Sequence, residues 1–181
     1  MDLKEFRNLL NVKKKELNDL ARRKMPVIVG QMAKSHFQEN FRKSGFVNNG
    51  LNQWKPSKRL SNPGKSAASN YKTLTSGRNH LLSSIKYIPG DARVTIRNDV
   101  EYASIHNEGG TINMPARKQV IHFNKKGKFS KLTLAHYAQK ANRKAYSITM
   151  PKRQFIGESK ELNEKIAARW EQEIEKTIHN S

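Results

Sequence analysis

The chain reads as an α+β fold, and three observations predict it. Both ends carry apolar residues at helical spacing, the middle carries short alternating runs, and glycine or proline stands at most of the changeovers. The expected architecture is a long N-terminal helical region and an amphipathic C-terminal helix packed on a small, mainly antiparallel β-sheet. A long basic loop over 45–73 and an inserted basic β arm over 111–150 complete a single domain spanning 1–181.

The elements follow in order. Leu3, Phe6, Leu9/Leu10, Leu17 and Leu20/Ala21 recur at spacings of three and four, which predicts a helix over 2–24. Pro26 lacks a backbone donor, so it either kinks this helix or separates it from a second one. The second is expected over 27–43, with Ile28, Met32, Phe37 and Phe41 as its apolar face and Gly45 as its stop. Residues 45–73 are rich in Asn, Ser, Gly, Pro and Lys, with turn signals at Asn48-Asn49-Gly50 and Asn62-Pro63-Gly64. Trp54 is the one large apolar residue there and is expected to pin the loop to the domain.

Ser76 is placed to cap a short helix containing Leu81, Leu82 and Ile85. Lys86-Tyr-Ile-Pro and Arg93-Val-Thr-Ile-Arg flank Gly90-Asp91 as a hairpin. Asn98-Asp99 turns the chain, and Tyr102, Ile105 and His106 share a face of a short helix that Gly109-Gly110 ends. In the arm, Gln119-Val-Ile-His-Phe alternates, Asn124-Lys-Lys-Gly turns, and Lys128-Phe-Ser-Lys-Leu is expected to return beside it. Residues 133–145 fit either helix or strand, and Tyr146-Ser-Ile-Thr-Met fits a strand ended by Pro151. Leu162, Ile166, Trp170, Ile174 and Ile178 recur every four residues as the stripe of the last helix, begun by Gly157 or Ser159.

Composition narrows the class. The formal net charge is +20, and its placement says more than its size. Residues 40–90 hold nine Lys/Arg and no acid, and residues 109–157 hold eleven and no acid. The segment 158–181 has six acids against four bases, so the excess lies in the middle of the chain rather than on its last helix. A field of this sign attracts nucleic acid or an acidic protein surface. The candidate contact residues are Arg117, Lys118, Lys125, Lys126, Lys128, Lys131, Arg143 and Lys144. Without cysteine there is neither a disulfide framework nor a thiolate metal site. The N-terminal stretch lacks an apolar core of the signal-peptide kind, and the run Val27-Ile28-Val29 is far too short for a span, so no membrane partner is expected.

Signs of enzymatic chemistry are sparse. Gly64-Lys65-Ser66 resembles the end of a phosphate loop, but Arg59 stands where that motif needs a glycine. His36, His80, His106, His122, His136 and His179 show no H-x-x-x-H pairing. Asp99, Glu101, His106 and Glu108 are the one sequence-local set that a metal-dependent nuclease could use. No helix-turn-helix or zinc-finger signature accompanies the basic charge. No cofactor is expected.

Four motifs in one order carry a resemblance. They are Gly50, Trp54 and Pro56; then Leu74, Gly77, Ser84 and Ile85; then Tyr102, Ala103, Ile105, His106, Gly109 and Gly110; and last Arg153, Phe155, Ile156 and Gly157. This order resembles the phage virion morphogenesis family, which includes the tail-completion proteins of P2-like and Mu-like phages. Two departures stand out: Asn79-His80-Leu81 lengthens the glycine-to-leucine spacing, and 113–149 is a lysine-rich variable region. The resemblance implies a non-enzymatic structural protein that completes the tail or the head–tail junction, the neck, through ring-like homo-oligomeric contacts. The partners it implies are phage tail and head–tail connector proteins, with nonspecific contact to packaged DNA. The location it implies is the virion, and the host cytoplasm during assembly. The alternative reading of the residues is a nonspecific nucleic-acid-binding protein; the more remote one is the nuclease.

Overall fold

A computed structural model describes residues 2–61, 64 and 67–179. Asn62, Pro63, Lys65 and Ser66 lie outside the described residues, and with them most of the Asn62-Pro63-Gly64 turn and the Gly64-Lys65-Ser66 tripeptide. The fold is α+β. The chain divides into two compact units, Met1–Glu108 with Lys152–Ser181 and Gly109–Pro151.

The first unit begins with α1 (Leu3–Asp19), a π-helical turn (Leu20–Lys24) and α2 (Met25–Lys43), helical throughout. The Pro26 question has a specific answer. Pro26 has no N–H to give the carbonyl of Arg22, and the helix widens so that Met25 N–H bonds Leu20 instead. The freed Arg22 carbonyl accepts the N–H of Ala92 at 3.0 Å, while the Arg22 guanidinium chelates Asp91. Ala92 and Asp91 form the tip of the hairpin β3 (Ile85–Gly90) and β4 (Arg93–Asn98), so a missing donor in one element anchors another.

The core face of α2 differs from the expected stripe. Its buried residues are Met25, Pro26, Gly30, Ala33, Phe37, Asn40 and Phe41, whereas Ile28 and Met32 are only half-buried. The small residues are the reason: a Cβ on Gly30 would stand 2.3 Å from the Tyr87 ring, so the hairpin approaches α2 where side chains are short. The helix stops at Ser44 (φ 54°) rather than at Gly45, which opens β1 (Gly45–Val47). β1 pairs with β2 (Leu51–Gln53) around Asn48-Asn49-Gly50, with φ of 51° at Asn49 and 96° at Gly50. The loop expected over 45–73 thus contains a hairpin, then a helical turn α3 (Lys58–Ser61) and a 3-10 turn (Ala67–Asn70).

Short helix α4 (His80–Ser83) starts after Asn79 rather than Ser76, and Ile85 belongs to β3, fully buried. α5 (Ala103–Glu108) ends before Gly109, whose φ is 75°. In α6 (Lys160–His179), burial falls along the stripe from Leu162, buried, through half-buried Ile166, Trp170 and Ile174, to Ile178, 49 % exposed. One apolar cluster joins Ala33, Phe37, Phe41, Phe46, Trp54, Leu81, Ile85, Ala103, Phe155 and Leu162.

The second unit is a two-stranded ribbon. β5 (Gly110–Met114) pairs with β8 (Tyr146–Met150), and β6 (Arg117–Phe123) with β7 (Tyr137–Arg143), in one continuous register. The break between the ladders falls at Pro115, which cannot donate to a ladder. The Asn124-Lys-Lys-Gly turn forms, with Asn124 Oδ1 accepting from Lys126 and Lys128 N–H. The returning partner is not Lys128–Leu132, which makes only a bridge at Phe129. It is Tyr137–Arg143, in the stretch that also fitted a helix. Phe123 sits between Tyr137 (5.2 Å) and Phe129 (5.5 Å), stacked on both the strand partner and the bridge partner. The sheet content is therefore four two-stranded ribbons among the described residues rather than one sheet. Among those residues no helix is long and apolar enough to cross a membrane.

Candidate functional site

The segment from Arg153 to Ile156 runs through the core of the first unit without joining any ladder, so its polar backbone must find other partners. Arg153 N–H donates to the His106 carbonyl at 2.8 Å. The Gln154 carbonyl accepts Trp54 Nε1–H at 2.7 Å. Asn107 Oδ1 accepts both Phe155 N–H (2.8 Å) and Ile156 N–H (3.0 Å). Asn40, fully buried, donates Nδ2–H to the Phe155 carbonyl at 3.2 Å and accepts Val47 N–H. Three side chains and one carbonyl thus replace a neighbouring strand.

The Arg153 side chain completes the knot. Its guanidinium donates to the carbonyls of Lys55 (2.8 Å) and Pro56 (3.3 Å). It is buried with no carboxylate among its bonds, and burial together with the nearby Arg59 charge lowers its pKa from the ordinary value. A guanidinium suits this place because it offers several fixed donors to carbonyls. Trp54 packs edge-on against Phe41 at 5.4 Å, and Phe155 lies 5.2 Å from Phe41. Burial, then the Arg153 charge, lowers the His106 pKa, and its Nδ1 is buried with no hydrogen-bond partner. Tyr102 stands edge-on to His106 at 5.8 Å, with its hydroxyl 3.2 Å from His80 Nδ1.

The motif residues therefore separate into two groups. Trp54, Pro56, His106, Arg153 and Phe155 meet in the knot, and Ile85 and Ala103 share its apolar cluster. Gly50 turns the β1–β2 hairpin and donates its N–H to Glu161 Oε1 at 2.7 Å. Ile105 is half-buried, and Ile156 packs at the edge of the cluster. Leu74 (φ 60°) also packs against that cluster, whereas Gly77, beside the Tyr71 hydroxyl, and Ser84, at the end of α4, stand apart from the knot. Gly157 precedes α6, while Gly109 and Gly110 open the ribbon unit. Asn40 and Asn107 escaped the reading of the sequence, because one asparagine among many has no periodic signature.

The ribbon presents a different chemistry. Arg117, Lys118, Lys125, Lys126, Lys128, Lys131, Arg143 and Lys144 are all exposed. They are spread along the ribbon and its tip rather than gathered at a point, and Lys140 joins them. Arg117 lies directly opposite Arg143, and like charges so placed weaken the pairing of the strands. Arg143 also stacks 4.4 Å over the Tyr146 ring. Every ion pair among the described residues belongs to the first unit. The Asp99, Glu101, His106 and Glu108 set does not assemble: Asp99 pairs with Arg97 and Lys86, and no group of three metal-ligating side chains forms among the described residues.

A sequence model of the phage virion morphogenesis family matches residues 1–175 of the chain. No curated protein and no solved structure matches it.

Proposed function

This chain belongs to the phage virion morphogenesis family, and from that premise we propose that it completes the tail or the head–tail junction as a non-enzymatic ring component. The family match over nearly the whole chain carries the reading. The two-unit architecture supports it. A unit with its own core serves as the body, and a ribbon with exposed cations and no buried residue serves as the arm that docks on neighbours. The free edges of the ribbon suit strand addition by an adjacent copy or a connector protein. Rings of this kind need heterologous contacts, one patch meeting a different patch next door.

Electron microscopy of lysates from the parent phage with this gene deleted tests the role. Filled heads beside unjoined or wrongly terminated tails are expected, and normal joined particles would remove the reading. Removal of residues 116–146 tests the arm. The first unit should stay folded while assembly fails; a protein that unfolds outright would refute the arm as a separate module.

A second reading, nonspecific nucleic-acid binding, is favoured by one observation: the ribbon is rich in lysine, holds no acid and makes no ion pair among the described residues. Cores of protein interfaces are poor in lysine, whereas phosphate backbones attract it. In the virion reading these cations face packaged DNA. Duplex affinity should fall steeply with salt and lose most of its slope when the ribbon lysines become glutamine. Neutralising as many lysines of the first unit should have the smaller effect, and equal losses would reduce the binding to net charge alone.

A further inference from the structure

The spacing Leu3, Phe6, Leu10, Lys13, Leu17, Leu20 alternates three and four residues, the pattern of a coiled-coil seam. The far half of this seam is covered within the chain. Leu20 is 2 % exposed, Leu17 is half-buried, and the Lys13 ammonium donates to the Thr177 carbonyl at 2.9 Å, in the last turn of α6. Among the described residues α6 reaches His179, and the cover goes no further along the seam. The seam continues without it: Leu10 is 53 %, Phe6 49 % and Leu3 85 % exposed.

This overhang is formed as helix although none of its seam residues is buried among the described residues. Asp2 closes its first turn, donating N–H to Glu5 Oε2 at 2.9 Å and accepting Phe6 N–H at 2.9 Å. Its order is also inherited from the long helical run behind it, so a partner need not supply the cost of nucleation.

We propose that the overhang is the interface for a second copy of this chain, pairing parallel along the same seam. The flanking charges select both occupant and direction. Beside the seam stand Asp2 on one flank and Arg7 and Lys14 on the other, with Glu16 further along. Parallel pairing sets Asp2 of one copy against Arg7 of its partner. Antiparallel pairing sets Arg7 against Lys14 and Asp2 against Glu16, like against like. The uncovered half-seam continues an interface that α1 already makes with α6. Pairing the same seam in both copies is an isologous contact that closes at two, distinct from the heterologous contacts of a ring, so the inference does not depend on the tail-completion reading.

Sedimentation of the full chain across a concentration series tests it. The wild type is expected to gain mass with concentration. Leu10→Asp should raise the dissociation constant by more than about tenfold, since it brings a carboxylate into an apolar seam. At a dilution where the wild type is monomeric its melting temperature should match the wild type's, because Leu10 is exposed in the single copy. Arg7→Glu should weaken association by roughly two- to tenfold, the effect of turning attractive flanking pairs repulsive. A wild type that stays monomeric throughout, or an unchanged mass for Leu10→Asp, would overturn the interface. Tightening by Arg7→Glu would overturn the parallel direction, because glutamate at position 7 attracts Lys14 only in the antiparallel pair. Solution mass and particle morphology are separate readouts, so this inference and the virion role can fail independently.

Discussion

The two units of this chain obey different physics. In the first, ten buried apolar residues form one cluster, and buried polar groups such as Asn40 and Arg153 have partners. In the second, not one described residue is buried, though strand pairing is regular from Gly110 to Phe123 apart from the break at Pro115. Backbone ladders alone make a marginal ribbon in water. The contrast separates two uses of a chain. Core burial in the first unit holds a shape by itself, whereas the ribbon holds contact chemistry ready for a neighbour or a polyanion. Aromatic stacking at its tip and the Asn124 turn supply what local order it has.

This difference can be broken or sharpened by substitution. The largest effect is expected for Phe41→Ala. Phe41 is fully buried between Trp54 and Phe155, and the cavity should cost about 3–5 kcal/mol. Denaturant unfolding measures it, and a loss under about 1 kcal/mol would mean the cluster is not the core. Next is Asn107→Ala, which strands the N–H groups of Phe155 and Ile156 and should cost about 1–3 kcal/mol. Hydrogen exchange should accelerate first at those two amides; an unchanged rate would show that water serves them as well.

A smaller effect separates the units by pH. Burial holds both His36 and His106 below the ordinary value of 6.5, with the Arg153 charge adding to the effect at His106. As pH falls, the unfolded chain takes up these protons before the folded one does. The stability they confer is therefore complete above about pH 6.5 and is lost on descent through the folded-state values. The melting temperature should drop between pH 7.5 and 5.5, and His106→Gln should flatten part of that drop. A flat profile in the wild type would contradict the burial of both rings. Smallest of all, Val120→Ala in the ribbon should change stability by no more than about 0.5 kcal/mol, since Val120 is 52 % exposed. A loss comparable to Asn107→Ala would show that the ribbon has a core after all.

Local patterns were legible wherever one residue type acts through its own backbone or its own period. The terminal helices, the β3–β4 hairpin, the Asn124 turn and the stop before Gly109 were all readable in this way. So was the pinning of the 45–73 segment by Trp54. Errors came where the deciding contact was remote. The small face of α2 at Gly30 and Ala33 depends on Tyr87 approaching from a distant hairpin. The return strand of the arm is Tyr137–Arg143 rather than the nearer Phe129 segment, although both rings stack on Phe123. The N-cap of α4 lies three residues beyond Ser76, at Asn79, and α2 ends at Lys43 as its period implies, with Ser44 rather than a glycine taking the left-handed conformation.

By itself, then, the sequence determined the α+β class, the acid-free middle of the chain and the apolar stripes, because composition and period are properties of neighbours along the chain. The tertiary structure decided where the freed carbonyl of Arg22 finds its donor and how Asn40, Trp54, Asn107 and Arg153 bind a segment that has no strand beside it. It also decided where α6 stops covering α1. Each of these depends on groups far apart in sequence meeting within hydrogen-bond or van der Waals reach, a distance that no periodicity encodes.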